Sequence, residues 1–313
     1  MKSPRRSTVH GQHRPVMLGE ALAALDPQSG QIAVDCTVGF AGHAVEFLSR
    51  VGSAGKLIGI DFDAEHLPQT QARLEAVGKS FSLHQGNFAG LANILAAEGM
   101  SQVDMILADL GMSSMQVDAA ERGFSYNRDG ILDMRMDRSR GRTAAQVLAD
   151  IAEADLCRAL QEFGDEPEAA TIAKAIVAAR KKASLTRTGD LVRIIMEATG
   201  TSTWRLHPRP GKWVIHPAAR TFQALRMLVN RELANLENLL RVTPTCLKPG
   251  GRAAIISFHS GEDRLVKAAF RDGLRAGIYD EAPPEPIRAS YAERGANPRS
   301  RSAKLRWARR ASR

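Results

Sequence analysis

The sequence has few cysteines and no long apolar segment. Its three cysteines, Cys36, Cys157 and Cys246, lie in no Cys-x-x-Cys or Cys/His spacing, so the sequence indicates neither a disulfide framework nor a zinc site. We expect packed thiols and no metal centre. No uninterrupted apolar run approaches the ~18 residues of a membrane-spanning helix, and the first residues contain no apolar signal core. The sequence therefore predicts a cytoplasmic protein without a membrane segment.

Basic residues outnumber acidic ones. Lys and Arg total 43 against 34 Asp and Glu, which gives a formal net charge of +9. An excess of this sign is typical of proteins with a polyanionic partner such as a nucleic acid, although many basic proteins bind none. The 313 residues are enough for two domains, or for one large domain with an insertion.

Short apolar runs alternate with helical patterns along the chain. This alternation predicts an α/β fold with a parallel sheet and crossover helices. The five runs that predict strands are residues 32–37, 57–61, 81–84, 103–109 and 252–258. About 140 residues separate the fourth run from the fifth, far more than one crossover needs. We therefore expect a sheet domain at 1–115 and 214–313, with an inserted, mainly helical domain at 116–213.

Helix signals fill the expected insertion. Thr143 and Gln146 form a capping-box pattern at the start of a helix that stops near Gly164. Two more helices are expected at about 167–182 and 189–198.

Beyond the insertion, apolar residues at steps of three or four predict one long amphipathic helix. Its apolar face consists of Phe222, Leu225, Val229, Leu233, Leu236 and Leu240. At the carboxyl end, Ala303, Leu305 and Trp307 alternate with basic residues. This pattern favours a terminal strand over a disordered RNA-binding tail.

The loop TVGFAGH follows the first predicted strand and opens a helix. Gly39 and Gly42 let the backbone pass close to a ligand at the helix amino terminus, although a plain tight turn is the alternative. Asp61 ends the second strand, near the spacing at which an acid accepts the ribose hydroxyls of an adenosine cofactor. The Gly-x-Gly-x-x-Gly pattern of NAD folds is absent, so S-adenosylmethionine is favoured. The alternative for Asp61 is a solvated strand-end carboxylate.

Six distinctive motifs are distributed along nearly the whole chain. They are TVGFAGH (37–43), DLGMSS (109–114), ERGFSYNRDGILDMRMD (121–137), HPAARTFQALR (216–226), SFHSGEDR (257–264) and NPRSRSAKLR (297–306). Together they resemble the bacterial small-subunit ribosomal RNA cytosine-N4 methyltransferase family. The resemblance implies a class I Rossmann-like methyltransferase with a helical insertion. It also implies methyl transfer from S-adenosylmethionine to N4 of a cytosine in the P-site region of 16S ribosomal RNA.

The resemblance assigns a cofactor site to this chain. Together with Gly39, it comprises Ala41, Gly42, His43, Asp61, Phe88, Asp109 and Gln116. The match has departures: Ala41 stands where the family usually has Gly, Phe40 replaces a usual Arg, and Gly261 replaces a usual Leu. We expect the loop to lie slightly farther from the methionine end of the cofactor.

The catalytic assignment follows from the nucleophile that the resemblance implies. A cytosine N4 amine has its lone pair delocalised into the ring, so groups that accept its hydrogens make the nitrogen more reactive. Asp109, Ser113 and Ser114 are the expected acceptors, with positioning for in-line transfer dominating over acid-base work. The alternative for the two serines is that their hydroxyls only stabilise a turn.

Candidates for RNA binding lie in three places. A target base must leave its stack, and Phe124, Tyr126, Arg128 and His259 are candidates to receive it. Arg205, Arg209, Lys212 and Arg220, interspersed with Trp204 and Trp213, form a basic-aromatic loop suited to RNA. The competing contact is the tail, through Arg299, Arg301, Arg309 and Arg310. Asp133, Arg135 and Asp137 are either an internal ion-pair network or functional.

Two other classes of function stay open from the sequence. A ribosome-binding or assembly protein would bind the cofactor without transferring methyl to any RNA. A methyltransferase acting on DNA or on a small molecule would ignore ribosomal subunits. The sequence leaves open whether the protein is a monomer or a homodimer, and whether free ribosomal RNA or the assembled small subunit is the substrate.

Overall fold

The chain divides into two compact units. The computed structural model describes residues 14–201 and 216–312. The first unit consists of Met1–Gly111 and Asn235–Arg313, and the second of Met112–Ala234. The second unit extends beyond both ends of the insertion that the sequence predicts at 116–213. No helix in the described residues is long and apolar enough to cross a membrane.

The first unit contains a mixed sheet of eight strands within the described ranges. The strands are β1 (Ile32–Asp35), β2 (Lys56–Asp61), β3 (Phe81–Gln85), β4 (Val103–Asp109), β5 (Leu247–Ser257), β6 (Tyr279–Glu281), β7 (Ile287–Arg288) and β8 (Lys304–Arg310). Their order is β3-β2-β1-β4-β5-β8-β6, and β7 pairs with β8. The first five strands are parallel and β8 is antiparallel to β5. The predicted α/β fold and the predicted terminal strand are confirmed.

The helices follow in chain order. They are α1 (Leu18–Leu25), α2 (Gly42–Val51), α3 (Leu67–Glu75), α4 (Leu91–Ala97), α5 (Ser114–Asp118), α6 (Ala144–Asp150), α7 (Glu153–Gly164), α8 (Ala169–Arg180), α9 (Thr188–Ala198), α10 (Ala219–Asn230), α11 (Glu232–Cys246), α12 (Ser260–Arg275) and α13 (Tyr291–Ala296). Helices α5 to α10 belong to the second unit, and α11 runs from the second unit into the first.

Both faces of the sheet are covered by apolar side chains. In β4, Met105 and Leu107 lie in one buried cluster while Ile106 and Ala108 lie in the other. Successive strand residues point to opposite faces, so a strand buried on both faces is a continuous apolar run. The strands therefore occur in the sequence as unbroken apolar runs. Polar groups are left to the ends of the strands.

The cysteines pack as the sequence predicts. All three are free, and Cys36 and Cys246 are buried while Cys157 is half-buried. Burial raises the pKa of the Cys36 thiol well above its usual value, because the thiolate would lose its hydration.

The first predicted helix of the insertion is wrong in extent. The capping box is present, since Thr143 Oγ1 accepts from the Gln146 N–H at 3.2 Å and Gln146 Oε1 accepts from the Thr143 N–H at 2.9 Å. However, α6 ends at Asp150, and Ile151 takes an extended ψ of 135° before α7 begins. Ile151 is partly buried against the core of the second unit, so tertiary packing ends a helix that periodicity would continue.

The long helix predicted after the insertion is also two helices. Helix α10 ends at Asn230, and Arg231 has a left-handed φ of 52°. The Asn230 side chain accepts from the Met136 N–H at 2.7 Å and donates to the Met134 carbonyl at 2.8 Å. These bonds to a distant loop fix the helix end, and the periodic sequence contains no sign of them.

Candidate active site

Three carboxylates meet at the carboxyl ends of neighbouring strands. Asp61 ends β2, Asp35 ends β1 and Asp109 ends β4, and these strands are adjacent in the sheet. Asp35 is 1% exposed, and burial raises its pKa to about 7, with the Asp61 charge adding to the rise. Asp35 is absent from the site that the sequence predicts. Its position at a strand end, like those of the other two acids, is the signal that would have found it.

The loop after β1 adopts a strained backbone. Gly39 has a φ of 46°, and among the described residues a Cβ there would meet only the Thr37 carbonyl oxygen, at 3.8 Å. Ala41 is fully buried with a φ of 62°, a left-handed conformation that side chains with a Cβ rarely adopt. A Cβ at Gly42 would come within 3.0 Å of Pro15 Cβ. The loop is therefore open at Gly39 and tightly packed at Gly42.

Asp61 connects β2 to this loop. Its Oδ2 accepts from the Gly39 N–H at 2.7 Å and its Oδ1 from the Asp63 N–H at 2.8 Å. Burial raises the pKa of Asp61, and the two backbone bonds oppose that rise. A carboxylate has about four acceptor positions. Two hydroxyls can therefore still bind to Asp61 while the loop keeps its conformation.

Two aromatic rings meet next to the end of β2. Phe88 follows β3 in a short 3-10 helix that begins after Asn87, whose side chain accepts from the Ala89 N–H at 2.8 Å. The rings of Phe88 and Phe62 meet edge to face with centroids 6.3 Å apart. Sequence reasoning missed Phe62, which directly follows Asp61. The pair provides a half-buried apolar wall beside the acid.

His43 lies between the amino-terminal segment and β4. It is 5% exposed, and its Nε2 lies 3.0 Å from the Val16 carbonyl oxygen. Its Nδ1 lies 3.9 Å from Asp109 Oδ2. The contact with Val16 places the proton on Nε2, because a carbonyl oxygen can only accept.

Asp109 is held through its backbone while part of its side chain is buried. Its N–H donates to Thr37 Oγ1 at 2.7 Å, and Thr37 in turn donates its own N–H to Asp35 Oδ1 at 3.0 Å. Asp109 Oδ1 is buried and has no hydrogen-bond partner among the described residues. Burial raises the pKa of Asp109 well above its usual value, the Asp35 and Glu262 carboxylates act in the same direction, and Arg299 opposes them.

A buried hydrogen-bond acceptor that has no donor lowers the stability of the folded protein, so such atoms are uncommon in native structures. Asp109 Oδ1 is therefore a candidate ligand contact at this strand end. Thr37, which the sequence reasoning did not select, positions the Asp109 backbone.

In the second unit, Ser113 and Gln116 stabilise a helix start. Ser113 Oγ accepts from the Gln116 N–H at 3.2 Å, and Gln116 Oε1 accepts from the Ser113 N–H at 3.1 Å. Gln116 is buried. This capping box begins α5, which agrees with the structural alternative for Ser113 without testing a catalytic role. The side chain of Ser114 lies outside the described part of the chain.

The candidates for stacking the target base differ in accessibility. Phe124 is 5% exposed in the core of the second unit, which disfavours it as a stacking surface. Tyr126 is half-buried, with its ring stacked on His216 at 4.7 Å between centroids and edge to face with Phe222 at 5.8 Å. Burial raises the pKa of Tyr126. Arg128 is exposed, and its Nη2 lies 3.4 Å from Asp118 Oδ1.

The acids of the segment 121–137 form local ion pairs. Asp133 Oδ1 accepts from Arg135 Nε at 2.7 Å, and Asp137 Oδ2 accepts from Arg140 Nε at 2.6 Å. Both pKa values are lowered against the effect of burial: that of Asp133 by hydrogen bonds from Arg135, and that of Asp137 by hydrogen bonds from Ser139 and Arg140. These local ion pairs agree with a structural role for the three residues and do not test a functional one.

The remaining candidates are basic residues and a histidine. Arg205, Arg209 and Lys212, with Trp204 and Trp213, lie outside the described residues. Arg220 Nη1 donates to the Asp165 carbonyl at 3.0 Å. His259 precedes α12, and its Nε2 lies 3.0 Å from Glu262 Oε1. Within residues 14–201 and 216–312, no three His, Cys, Asp or Glu side chains are grouped as a metal site would require.

The fold is that of a Rossmann-like class I methyltransferase, with five parallel strands and an antiparallel β8. A family model described as the MraW methylase family matches residues 10–311. The chain is 42% identical over 309 residues to "Ribosomal RNA small subunit methyltransferase H" of Geobacter sp. (strain M21), covering 94% of this chain and 97% of that protein. A relative of the same name from Symbiobacterium thermophilum is 42% identical, covering 94% and 95%. The chain therefore belongs to the MraW methylase family, as the motifs predict.

Among solved structures, the chain is similar to a SAM-dependent O-methyltransferase from Thermotoga maritima. The TM-score is 0.43 at 10% identity, covering 97% of this chain and 69% of that one.

Proposed function

We propose that this protein transfers a methyl group from S-adenosylmethionine to N4 of a cytosine in 16S ribosomal RNA, in the P-site region. Family membership and the name of the 42% identical relatives support a small-subunit ribosomal RNA substrate. The observation that carries the chemistry is Asp109, whose buried Oδ1 has no partner among the described residues. A ribosomal substrate supports a cytoplasmic location.

The strand ends of the first unit fit the adenosine part of the cofactor. Asp61 keeps acceptor positions for two ribose hydroxyls while it holds Gly39, and Phe62 with Phe88 forms an apolar wall for the adenine. The open backbone at Gly39 and the start of α2 suit the methionine end. When bound, S-adenosylmethionine supplies a methyl group on a sulfonium, already a strong electrophile.

Asp109 is proposed to hold the amine. Its carboxylate accepts an N–H of the cytosine amine, which orients the nitrogen lone pair toward the methyl group. The amine also loses one proton on methylation. The raised pKa of Asp109 suits its carboxyl to receive that proton, because a solvated aspartate would hold it far more weakly. Thr37 fixes the position of this residue through its backbone N–H. The roles of Gln116, Ser113 and Ser114 stay predictions from the family resemblance.

The function is tested by transfer of labelled methyl groups. Small ribosomal subunits from a strain lacking the chain's orthologue, the free 16S RNA from the same strain, and DNA are the three acceptors. We expect label in ribosomal RNA alone, with mass mapping of the digested RNA placing it on N4 of one cytosine. Cofactor binding without transfer would instead favour an assembly protein, and label in DNA would favour the DNA alternative.

The Asp109→Asn variant tests the assignment of the site. Single-turnover transfer should fall by about tenfold or more, because an amide donor replaces an acceptor beside the N–H groups of the amine. In the wild type, transfer should also rise with pH through the raised pKa of Asp109, because only the ionised carboxylate accepts. The variant should lose that part of the pH profile. A wild-type rate in the folded variant would remove Asp109 from the chemistry.

A further inference from the structure

Most basic side chains of the terminal strand β8 form ion pairs or hydrogen bonds within the first unit. Asp263 accepts from both Lys304 Nζ, at 2.8 Å, and Arg306 Nε, at 2.7 Å. Arg309 Nε lies 2.8 Å from Asp280 Oδ1, and Arg310 donates to the Leu247 carbonyl. These contacts hold β8 in the sheet and between carboxylates. The basic side chains of the strand are therefore already paired within the first unit.

The segment just before β8 is different. Residues 287–301 contain four exposed arginines, Arg288, Arg294, Arg299 and Arg301. Neither Arg288 nor Arg294 forms an ion pair with a described residue. The segment contains a single acid, Glu293, whose Oε1 accepts from the Met17 N–H at 2.7 Å. The surface of the segment thus carries an excess of positive charge.

An aromatic ring lies among these arginines. Tyr291 is 87% exposed, the largest exposure of the large apolar residues described. It is the first residue of α13, which Ser290 caps by accepting from the Glu293 N–H at 3.1 Å. Arg301 Nε donates to the Arg294 carbonyl at 3.2 Å, so the turn after α13 folds back on the helix. The ring and the arginines therefore belong to one short, folded-back segment.

This segment lies near Asp109. The charges of Glu293 and Arg299 reach the Asp109 carboxyl and shift its pKa in opposite directions. Asn297 Nδ2 donates to the Arg14 carbonyl at 3.5 Å, and Met17 bonds to Glu293. The stretch 14–17 also includes Val16, whose carbonyl contacts His43. The segment is therefore linked through residues 14–17 to the loop that is proposed to hold the cofactor.

We propose that residues 287–301 bind the single-stranded RNA next to the target cytosine. Tyr291 stacks an unpaired base, and Arg288, Arg294 and Arg301 contact the neighbouring phosphates. An exposed aromatic ring among cations is the chemistry that recognises single strands, and a base that must be unstacked for reaction has unpaired neighbours or ends. The proposal rests on the proposed function. It puts RNA contact on the first unit, whereas the sequence favours the loop at Arg205, Arg209 and Lys212.

The test compares two triple variants with the same loss of charge. One combines R288Q, R294Q and R301Q, and the matched control combines R241Q, R271Q and R275Q, which are exposed on α11 and α12. Arg299 is left intact because its charge acts on Asp109. Affinity for undermethylated small subunits is measured across salt concentrations. We expect the slope of log affinity against log salt to fall by about 0.7 per lost phosphate contact in the first variant only.

Tyr291 gives a second, charge-independent test. Tyr291→Ala should weaken subunit binding by about tenfold, as expected for a base stacked on an aromatic ring, while Tyr291→Phe should bind like the wild type. Calorimetric binding of S-adenosylmethionine shows that each variant is folded.

The inference is overturned if the two triple variants share one slope, or if Ala and Phe at 291 bind equally. It is also overturned if neutralising Arg205, Arg209 and Lys212 removes the salt dependence while the first triple variant keeps it. A wild-type protein that methylates no ribosomal RNA would instead refute the proposed function, so the two failures are distinguishable.

Discussion

The two units treat their polar residues in opposite ways. In the first, Asp35, Asp61 and Asp109 are gathered at strand ends where burial raises the pKa of each. In the second, the residues of the most distinctive motif are bound to other parts of the same unit, and Phe124 lies in its core. The difference shows that a specific-looking motif can encode the fold of a unit, whereas carboxylates with raised pKa values gathered at one sheet edge are the candidates for chemistry.

The segment 121–137 is held by side-chain hydrogen bonds, both within itself and to the start of α9. Arg122 is 2% exposed and donates Nη2 to the carbonyls of Arg135 and Met136, at 3.1 and 3.0 Å. Asp129 accepts from the Gly189 N–H at 2.9 Å and from Arg187 Nε at 2.7 Å. These side chains replace the regular backbone bonds that a long loop lacks.

The largest effect that tests the comparison concerns Phe124. Phe124→Ala should destabilise the protein by about 3 to 5 kcal/mol, because a core ring leaves a cavity. Urea unfolding measures the loss. Under conditions where the variant stays folded, its affinity for small subunits should equal that of the wild type. Tyr126→Phe, which keeps the half-buried ring, is the control. A stable Phe124→Ala protein that fails to bind subunits would give the second unit the role we assign to the first.

The next effect uses the pKa of Asp35. Because its folded pKa is about 7 and its ordinary value is 3.8, the unfolded chain ionises first as pH rises, and unfolding becomes easier up to about pH 7. Asn at this position carries no charge, so the variant should not lose this stability. The unfolding free energy of Asp35→Asn minus that of the wild type should therefore increase by about 2 to 3 kcal/mol between pH 5 and pH 8. Asp155→Asn, at an exposed site on α7, is the matched control. A pH-independent difference in unfolding free energy would show that burial does not raise the pKa of Asp35.

Cofactor affinity gives a smaller effect. Asp61→Ala should weaken S-adenosylmethionine binding by on the order of 1 to 3 kcal/mol, since it leaves ribose hydroxyls unpaired and releases the Gly39 N–H. Asp61→Asn keeps one acceptor oxygen and should lose less. Calorimetry compares the two variants. Equal affinities for wild type and Asp61→Ala would place the cofactor elsewhere in the first unit.

The sequence predicts well whatever repeats along the chain. Apolar runs predict the five parallel strands, and alternation at Ala303, Leu305 and Trp307 predicts β8, because burial on a sheet has a short period. The helix breaks after Asp150 and at Arg231 could not be predicted, because contacts with residues distant in sequence fix them. Thr37 and Phe62 could not be predicted for a related reason: only the pairing of β1 with its neighbours brings them to one edge of the sheet.

The smallest effect concerns Ala41, which lies in the loop after β1 at a position where the family resemblance predicts a glycine. Ala41 has a φ of 62° in a fully buried position, and a residue with a Cβ pays about 1 to 2 kcal/mol in that conformation. Ala41→Gly removes this strain. It also raises the conformational entropy of the unfolded chain, which offsets roughly 0.5 to 1 kcal/mol of the gain in stability. The variant should therefore be more stable by about 0.5 kcal/mol, measurable by urea unfolding. Ala44→Gly, inside α2, should lose stability instead. If Ala41→Gly also destabilises, packing of the methyl group outweighs backbone strain, and the loop of this chain has adapted to alanine.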